Sequence, residues 1–240
     1  MDKKTRTPFY PTANDPSCVL WLDFDDNYNA NLVQDKSQYR SHGTISGQSG
    51  QANGYAVGMN GMAFNAEGTD DYISCGNGTN LQITGALSFS AWVNPSGTVN
   101  SPQIIAGKEG SGTDRSWWCS FNKAAGTQPF HFLTSSDGAA YVEATTSGDP
   151  ANFVNQRTHV VFVYVPSASM SIYVNGALGT TVTASIPASL FNAAESLAIG
   201  ARRQSATAIS FFSGKISHPR LYNRALTAQE ISNEYLDKKR

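Results

Sequence analysis

An all-β domain is predicted by this sequence, on three observations. The first is the stretch from His159 to Gly179, HVVFVYVPSASMSIYVNGALG. Side chains alternate across a strand, so Val161, Val163 and Val165 fall on one side and Val160, Phe162 and Tyr164 on the other. Both faces are apolar, which predicts a strand buried on both. Pro166 cannot donate to a ladder and Ser167–Ser169 favour a turn, so the run reverses into Met170–Val174. Asn175-Gly176 tolerates the positive φ angles of a type I′ turn, and a third strand, Gly179–Ala184, follows. The second observation is Leu87–Val93, where Leu87, Phe89, Ala91 and Val93 alternate with Ser88, Ser90 and Trp92. The third is composition: 15% charged residues and 21 Gly among 240 residues favour strands and turns over a helical bundle.

The elements follow in chain order. Residues 1–17, with three prolines and few apolar side chains, read as an extended arm. Lys3, Lys4, Arg6, Phe9 and Tyr10 are its candidate contacts with other subunits of an assembly. Residues 18–240 read as one domain, without internal repeat or linker. Cys18–Phe24 is its first strand, followed by a long polar passage to Gly54. Tyr55–Phe64 and Tyr72–Cys75 read as short strands flanking the acidic turn Glu67-Gly68-Thr69-Asp70-Asp71. Strands are further predicted at Leu87–Val93, Gln103–Gly107, Ser116–Asn122, Pro129–Thr134 and Ala139–Thr145, the last two joined by Asp137-Gly138. Leu197–Ala201 and Ile209–Tyr222 complete the set. One helix is predicted, from Thr227: Glu230 sits at the capping-box spacing, and Ile231 and Tyr235 share a face.

Charge and hydropathy exclude whole classes of partner. A formal net charge of -1 supplies no general field for nucleic acid or an anionic membrane. No run approaches the roughly 18 apolar residues of a membrane span, and the basic start has no apolar segment behind it to make a signal peptide. Cys18, Cys75 and Cys119 lie within apolar strand patterns and read as buried thiols, with a Cys18–Cys75 disulfide as the alternative.

Several segments together resemble the laminin-G-like, concanavalin A-like lectin-glucanase family in its bacterial and viral form. They are CVLWLDFDDN, DKSQYRSHGTISG, GMAFNAEGTDDYISC, LSFSAWVNP, THVVFVYV with SIYVNGALG, LAIGAR and FSGKISHPRLYNRALTAQEI. They keep the family's order over about residues 18–235. The resemblance implies a two-sheet antiparallel jelly-roll sandwich with one short C-terminal helix, recognition through loops or a concave face, and no catalytic activity. The family commonly carries an acidic residue after the Gly-x-Ile near its C-terminus, linked to calcium; Ser217 stands there in this chain.

The candidate chemistry is sparse. Glycoside hydrolysis needs two carboxylates about 5–9 Å apart across a cleft. The six glutamates, Glu67, Glu109, Glu143, Glu195, Glu230 and Glu234, show no such spacing along one strand. The four histidines form no HxH or HExxH pair, and no nucleophile elbow or P-loop occurs. Asp70 and Asp71, on a turn before a strand, are the candidate calcium ligands, with a solvated acidic turn as the plainer reading. For sugar binding, alternation puts Trp117, Cys119 and Phe121 on one face of their strand and Trp118, Ser120 and Asn122 on the other. Trp118 is then an outward aromatic platform beside Asn122, with Arg202 and Arg203 as further candidates, and the alternative is that a loop or partner covers it. Trp92 reads as structural.

Two function classes result. One is a non-catalytic structural and adhesion module, a virion surface protein (head decoration or tail) that binds glycans. The other is a carbohydrate-binding module of a larger secreted bacterial protein, with a polysaccharide-cleaving enzyme behind both. Localisation follows the choice, virion in the first case and extracellular in the second.

Overall fold

The computed structural model describes residues 15–25, 31–47, 54–58, 61–98, 102–110, 112–123, 127–204 and 207–238. Its strands in chain order are β1 (Cys18–Trp21), β2 (Leu32–Val33), β3 (Gly43–Ser46), β4 (Tyr55–Val57), β5 (Met62–Glu67), β6 (Tyr72–Ser74), β7 (Leu87–Pro95), β8 (Gln103–Glu109) and β9 (Arg115–Phe121). There follow β10 (Phe130–Thr134), β11 (Val142–Thr145), β12 (Thr158–Val165), β13 (Ser169–Val174), β14 (Ala177–Val182), β15 (Ala198–Ile199), β16 (Arg202–Gln204), β17 (Thr207–Ile209) and β18 (Ser213–Tyr222). One helix, α1 (Ala228–Lys238), closes the described chain.

Two antiparallel sheets form, in the order β14-β13-β12-β7-β18-β5-β4, with β1 added to β18, and β11-β10-β9-β8-β15-β6-β3-β2. A small hairpin, β16-β17, stands apart from both. Alternation decides what lies between the sheets. Phe89, Val160, Phe162, Tyr164 and Ile172 of the first meet Ile105, Trp117, Cys119, Phe121 and Phe132 of the second in one core. Phe132 and Phe162 touch across it, with ring centroids 5.7 Å apart.

The first two strands of the meander are as the sequence predicts, and the third begins at Ala177, directly after the turn, instead of at Gly179. Val160 to Val165 pair with Val174 to Ser169 in register, and Asn175 and Gly176 take φ angles of 51° and 79° at the turn. The second apolar face of β12 is covered too: Val161 and Val163 pack with Tyr222, Leu226 and Ile231 beneath α1. The capping box closes, the Thr227 amide donating to Glu230 Oε2 at 2.8 Å and the Glu230 amide to Thr227 Oγ1 at 3.2 Å. Beneath the helix, Tyr235 stacks on Trp92, centroids 5.7 Å apart, which gives Trp92 a structural setting. The three cysteines are buried and free, and burial pushes their thiols well above the usual range.

The passage read as polar up to Gly54 holds two short strands, β2 and β3, an unpredicted strand β16 pairs with β17, and three predicted segments divide or shift. Tyr55–Phe64 is not one strand but the hairpin β4-β5, because Gly58 and Gly61 turn the chain and the Gly58 amide donates to the Gly61 carbonyl at 2.7 Å. The stretch Ile209–Tyr222 divides at Ser210, whose φ of 56° ends β17 before β18 begins. Residues 139–141 belong to the turn, not to β11: the Asp137 carboxylate accepts the Ala139 and Ala140 amides and wraps the chain around itself.

Candidate functional site

The second sheet carries a cavity of about 250 Å³ on its face away from the core. Strand pairing brings its lining together. Gly107, Trp118, Leu133 and Glu143 stand in one row across β8, β9, β10 and β11. Gly107 is required there, since a Cβ would come within 2.5 Å of the Trp118 Cβ. Trp118 packs with Ile104 and Leu133, and His131 meets it edge to face at 4.6 Å. Pro102, Glu109, Arg115, Lys123, Tyr141 and Arg202 complete the wall.

Ion pairs hold both ends of this cavity. At one end Arg115 Nε and Arg202 Nε lie 2.8 and 3.3 Å from Glu109 Oε1, and the Arg115 guanidinium lies 5.2 Å over the Tyr141 ring. At the other, Glu143 accepts a short contact from Lys123 and a 3.0 Å bond from His131 Nε2. Burial pushes the Glu109 carboxyl above the usual range, against the Arg115 hydrogen bond and the two arginine charges. Partial burial also works upward on Glu143, but Lys123 and His131 outweigh it and hold the group below the usual range. Burial draws the His131 ring down to about 4 in spite of the neighbouring carboxylate, so it is neutral at pH 7. Tyr141, 53% exposed, is the aromatic face that remains open.

The sequence-predicted ligand residues divide. Trp118 and Arg202 line the cavity together. Trp118 faces outward from the core as alternation requires, yet only 7% of it is exposed, because His131 and Leu133 close over it. Asn122 is buried and donates to the Thr98 carbonyl at 3.0 Å, which makes it a loop tie. Arg203 turns the other way, onto Glu195 at 3.1 Å and the Tyr72 hydroxyl at 3.0 Å. Sequence reasoning missed Glu109, Arg115, Lys123, His131, Tyr141 and Glu143. No motif marks them; only the register of four strands collects them. Two carboxylates that share no spacing, Glu109 and Glu143, thus come to line one cavity.

The acidic turn between β5 and β6 brings one carboxylate oxygen each from Glu67, Asp70 and Asp71 within 4.8 Å of one another. Asp71 Oδ2 accepts the Glu67 amide at 3.0 Å, and Thr69 donates to Glu67 Oε1 at 2.7 Å. Three hard oxygens on a tight turn fit calcium by donor type. Ser217 is not beside them: Glu67 pairs with Ser213, whereas Ser217 faces Trp92 further along β18. The arm residues Lys3, Lys4, Arg6, Phe9 and Tyr10 lie outside the described residues. Among the described residues, no helix is long and apolar enough to cross a membrane.

Two stacked antiparallel sheets in this strand order define a concanavalin A-like domain. The laminin G family model described as concanavalin A-like lectin/glucanases superfamily matches residues 67–232, and the chain belongs to that family. No curated protein matches the sequence. Among solved structures, domain 4 of AbnA, a GH43 extracellular arabinanase from Geobacillus stearothermophilus solved with arabinotriose, aligns at TM-score 0.67 and 23% identity. That alignment covers 90% of this chain and 97% of the other. The binding domain of Paraclostridial Mosquitocidal Protein 1 aligns at TM-score 0.68 and 11% identity, over 91% of this chain and 52% of its own. The receptor binding domain of botulinum neurotoxin C/D mosaic serotype aligns at 0.68 and 14%, over 92% and 51%. This chain therefore spans about half the length of the toxin binding domains it matches, and at these identities the likeness is one of fold.

Proposed function

We propose that this domain is a non-catalytic binding module that holds a carbohydrate in the cavity over Trp118. The observation that carries the reading is the cavity itself: an open Tyr141 ring, the mostly covered Trp118 indole in the wall, and charged hydrogen-bonding groups already fixed by one another. Flat apolar faces edged by preset polar groups match a sugar ring, which presents apolar C–H faces and a rim of hydroxyls. Solved neighbours include a domain crystallised with arabinotriose and several binding domains of toxins, which supports binding as the common use of the fold. Glu109 and Glu143 share the cavity, but each is engaged by cations, so neither is poised as a free acid or nucleophile.

The test is retention on an immobilised panel of polysaccharides, with release of reducing ends followed in parallel. Trp118→Ala is expected to weaken retention by about 1–3 kcal/mol, taking ring stacking on bases as the nearest measured analogue. Wild-type protein that binds no member of the panel would remove the reading, and release of reducing ends from a bound polymer would replace it with hydrolysis.

A calcium ion on Glu67, Asp70 and Asp71 belongs to the same proposal, as a clamp on the turn that links the two sheets. A ligand bound only by the native state raises stability, so chelation is expected to lower the melting temperature by several degrees, and added calcium to restore it. A melt indifferent to both would leave the acidic turn as a solvated loop.

A further inference from the structure

We infer that a bound sugar ring stacks on Tyr141, and that Arg115 is a positioning residue that holds the Tyr141 ring ready to receive it; this rests on the binding-module reading above. Of the described residues that line the cavity, Tyr141 is the most exposed, at 53%, whereas Trp118 offers little more than an edge at 7%. Among the described residues the Tyr141 hydroxyl has no hydrogen-bond partner, and one face of the ring is taken by the Arg115 guanidinium, 5.2 Å from the centroid. A ring half in water and covered on one face has the other to offer, at the mouth of a cavity rimmed with hydrogen-bonding groups.

An exposed tyrosine by itself is ordinary. The hold on this one is not. Tyr141 closes the turn 135–141, SSDGAAY, and the next residue, Val142, pairs with Thr134 at the start of β11. The Ser135 hydroxyl accepts the Gly138 amide at 3.0 Å and donates to the Ala140 carbonyl at 2.5 Å, while the Asp137 carboxylate holds the Ala139 and Ala140 amides. The turn is tied to β9 as well, since the Arg115 amide donates to the Gly138 carbonyl at 3.2 Å.

The Arg115 side chain completes this frame. Its Nε donates to Glu109 Oε1 at 2.8 Å, and its Nη1 donates to the Ala139 carbonyl at 2.7 Å. Glu109 is 1% exposed, so the guanidinium is anchored from within the sheet and not by a mobile surface partner. A planar guanidinium can bond a carboxylate and a carbonyl along its edges while laying its face on an aromatic ring; an ammonium has no such plane. The Tyr141 ring is therefore set before a ligand arrives, and a contact that is already ordered costs less freedom on binding.

The experiment is titration calorimetry of the wild-type domain with arabinotriose, cellotriose and xylotriose, followed by titration of the variants with the tightest of the three. Tyr141→Ala is expected to lose about tenfold or more, with ring stacking on bases as the analogue and the melting temperature nearly unchanged. Tyr141→Phe is expected to stay within about twofold, because the face and not the hydroxyl makes the contact. Proton NMR of the bound trisaccharide is expected to show C–H signals moved upfield by the wild-type ring and not by Tyr141→Ala. Arg115→Lys is expected to lose about threefold or more in the wild-type background and nothing further in the Tyr141→Ala background, since a residue that acts through the ring has no effect without it. Full affinity in Tyr141→Ala, or the same Arg115→Lys loss in both backgrounds, would overturn the inference while leaving sugar binding in place. Absence of binding to the three trisaccharides and to the polysaccharide panel would end both readings.

Discussion

Glu234→Ala is expected to destabilise the domain by about 3–5 kcal/mol, the range for removing one partner of a buried ion pair. Glu234 projects from α1 onto the outer face of the first sheet, where its Oε1 makes a short contact with Arg220 Nη1, both side chains being almost wholly buried. Arg220 has little else: its guanidinium lies 5.3 Å from the Trp21 ring, and its Nε and Nη2 find no protein acceptor. Burial works against the Arg220 charge, but Glu234 leads the groups that overcome it and raise its pKa above the usual arginine value. Without the carboxylate, an uncompensated cation would sit under the helix. Urea denaturation at pH 7 measures the loss. The double variant Arg220→Met with Glu234→Leu is expected to recover most of it, because an apolar pair avoids the desolvation cost. A loss below about 1 kcal/mol in the single variant would mean the helix is not docked through this pair.

The same region sets the acid limb. His159 Nε2 lies 3.2 Å from Ser90 Oγ and 3.9 Å from Glu234 Oε2. Burial pulls its ring down to about 4, helped by Arg220 and opposed by Glu234. An unfolded histidine titrates near 6.5. Between about 6.5 and 4 the unfolded chain therefore binds more protons, and stability falls as the pH drops through that window. His131 contributes with the same sign. His159→Gln is expected to flatten part of this limb in urea midpoints taken across the window.

The second large effect is expected at Lys108. Its side chain is buried, and its ammonium donates to Asn77 Oδ1 at 2.7 Å, to the Glu195 carbonyl at 3.0 Å and, through a short contact, to the Ala193 carbonyl. One cation thus pins the loop before β7 and the loop before β15 to β8. Burial lowers it to about 8, partly resisted by Asp114 and Glu195, so it remains charged and donating at pH 7. Lys108→Met keeps the apolar stem and leaves three oxygens without that donor. Hydrogen bonds to charged groups are worth about 1.5–3 kcal/mol each, and some of the freed oxygens will find water, so a net loss of about 3 kcal/mol is expected. Thermal melting and hydrogen exchange of the Ala194 and Glu195 amides, which Asp114 otherwise holds, check it. An unchanged melt would show the two loops to be held without the cation.

Much of the fold was legible because it depends on local period. The apolar alternation of β7 and β12, the Asn175-Gly176 turn and the Thr227–Glu230 cap each need only a few neighbouring residues to be read. The site was legible only in part. Trp118 was correctly turned away from the core, but its cover by His131 and Leu133 depends on which residue of β10 lies opposite it. Glu109 and Arg115 escaped notice because the register shifts between Lys108 and Glu109 before Glu109 pairs with Arg115. A similar shift between Ser217 and Arg220, with His218 at φ 51°, sets Arg220 opposite Ser90 and under the helix.

The sequence by itself determined that the chain forms strands, which faces of them are apolar, where the tightest turns fall and where the helix begins. These follow from side-chain period and from backbone preferences that act over a few residues. Tertiary structure alone decided which strands lie side by side, at which register, and hence which charges meet. Glu109 with Arg202, Glu143 with Lys123 and Arg220 with Glu234 are pairs of that kind. Long-range pairing is fixed by the fit of the whole core, and no local pattern of residues encodes it.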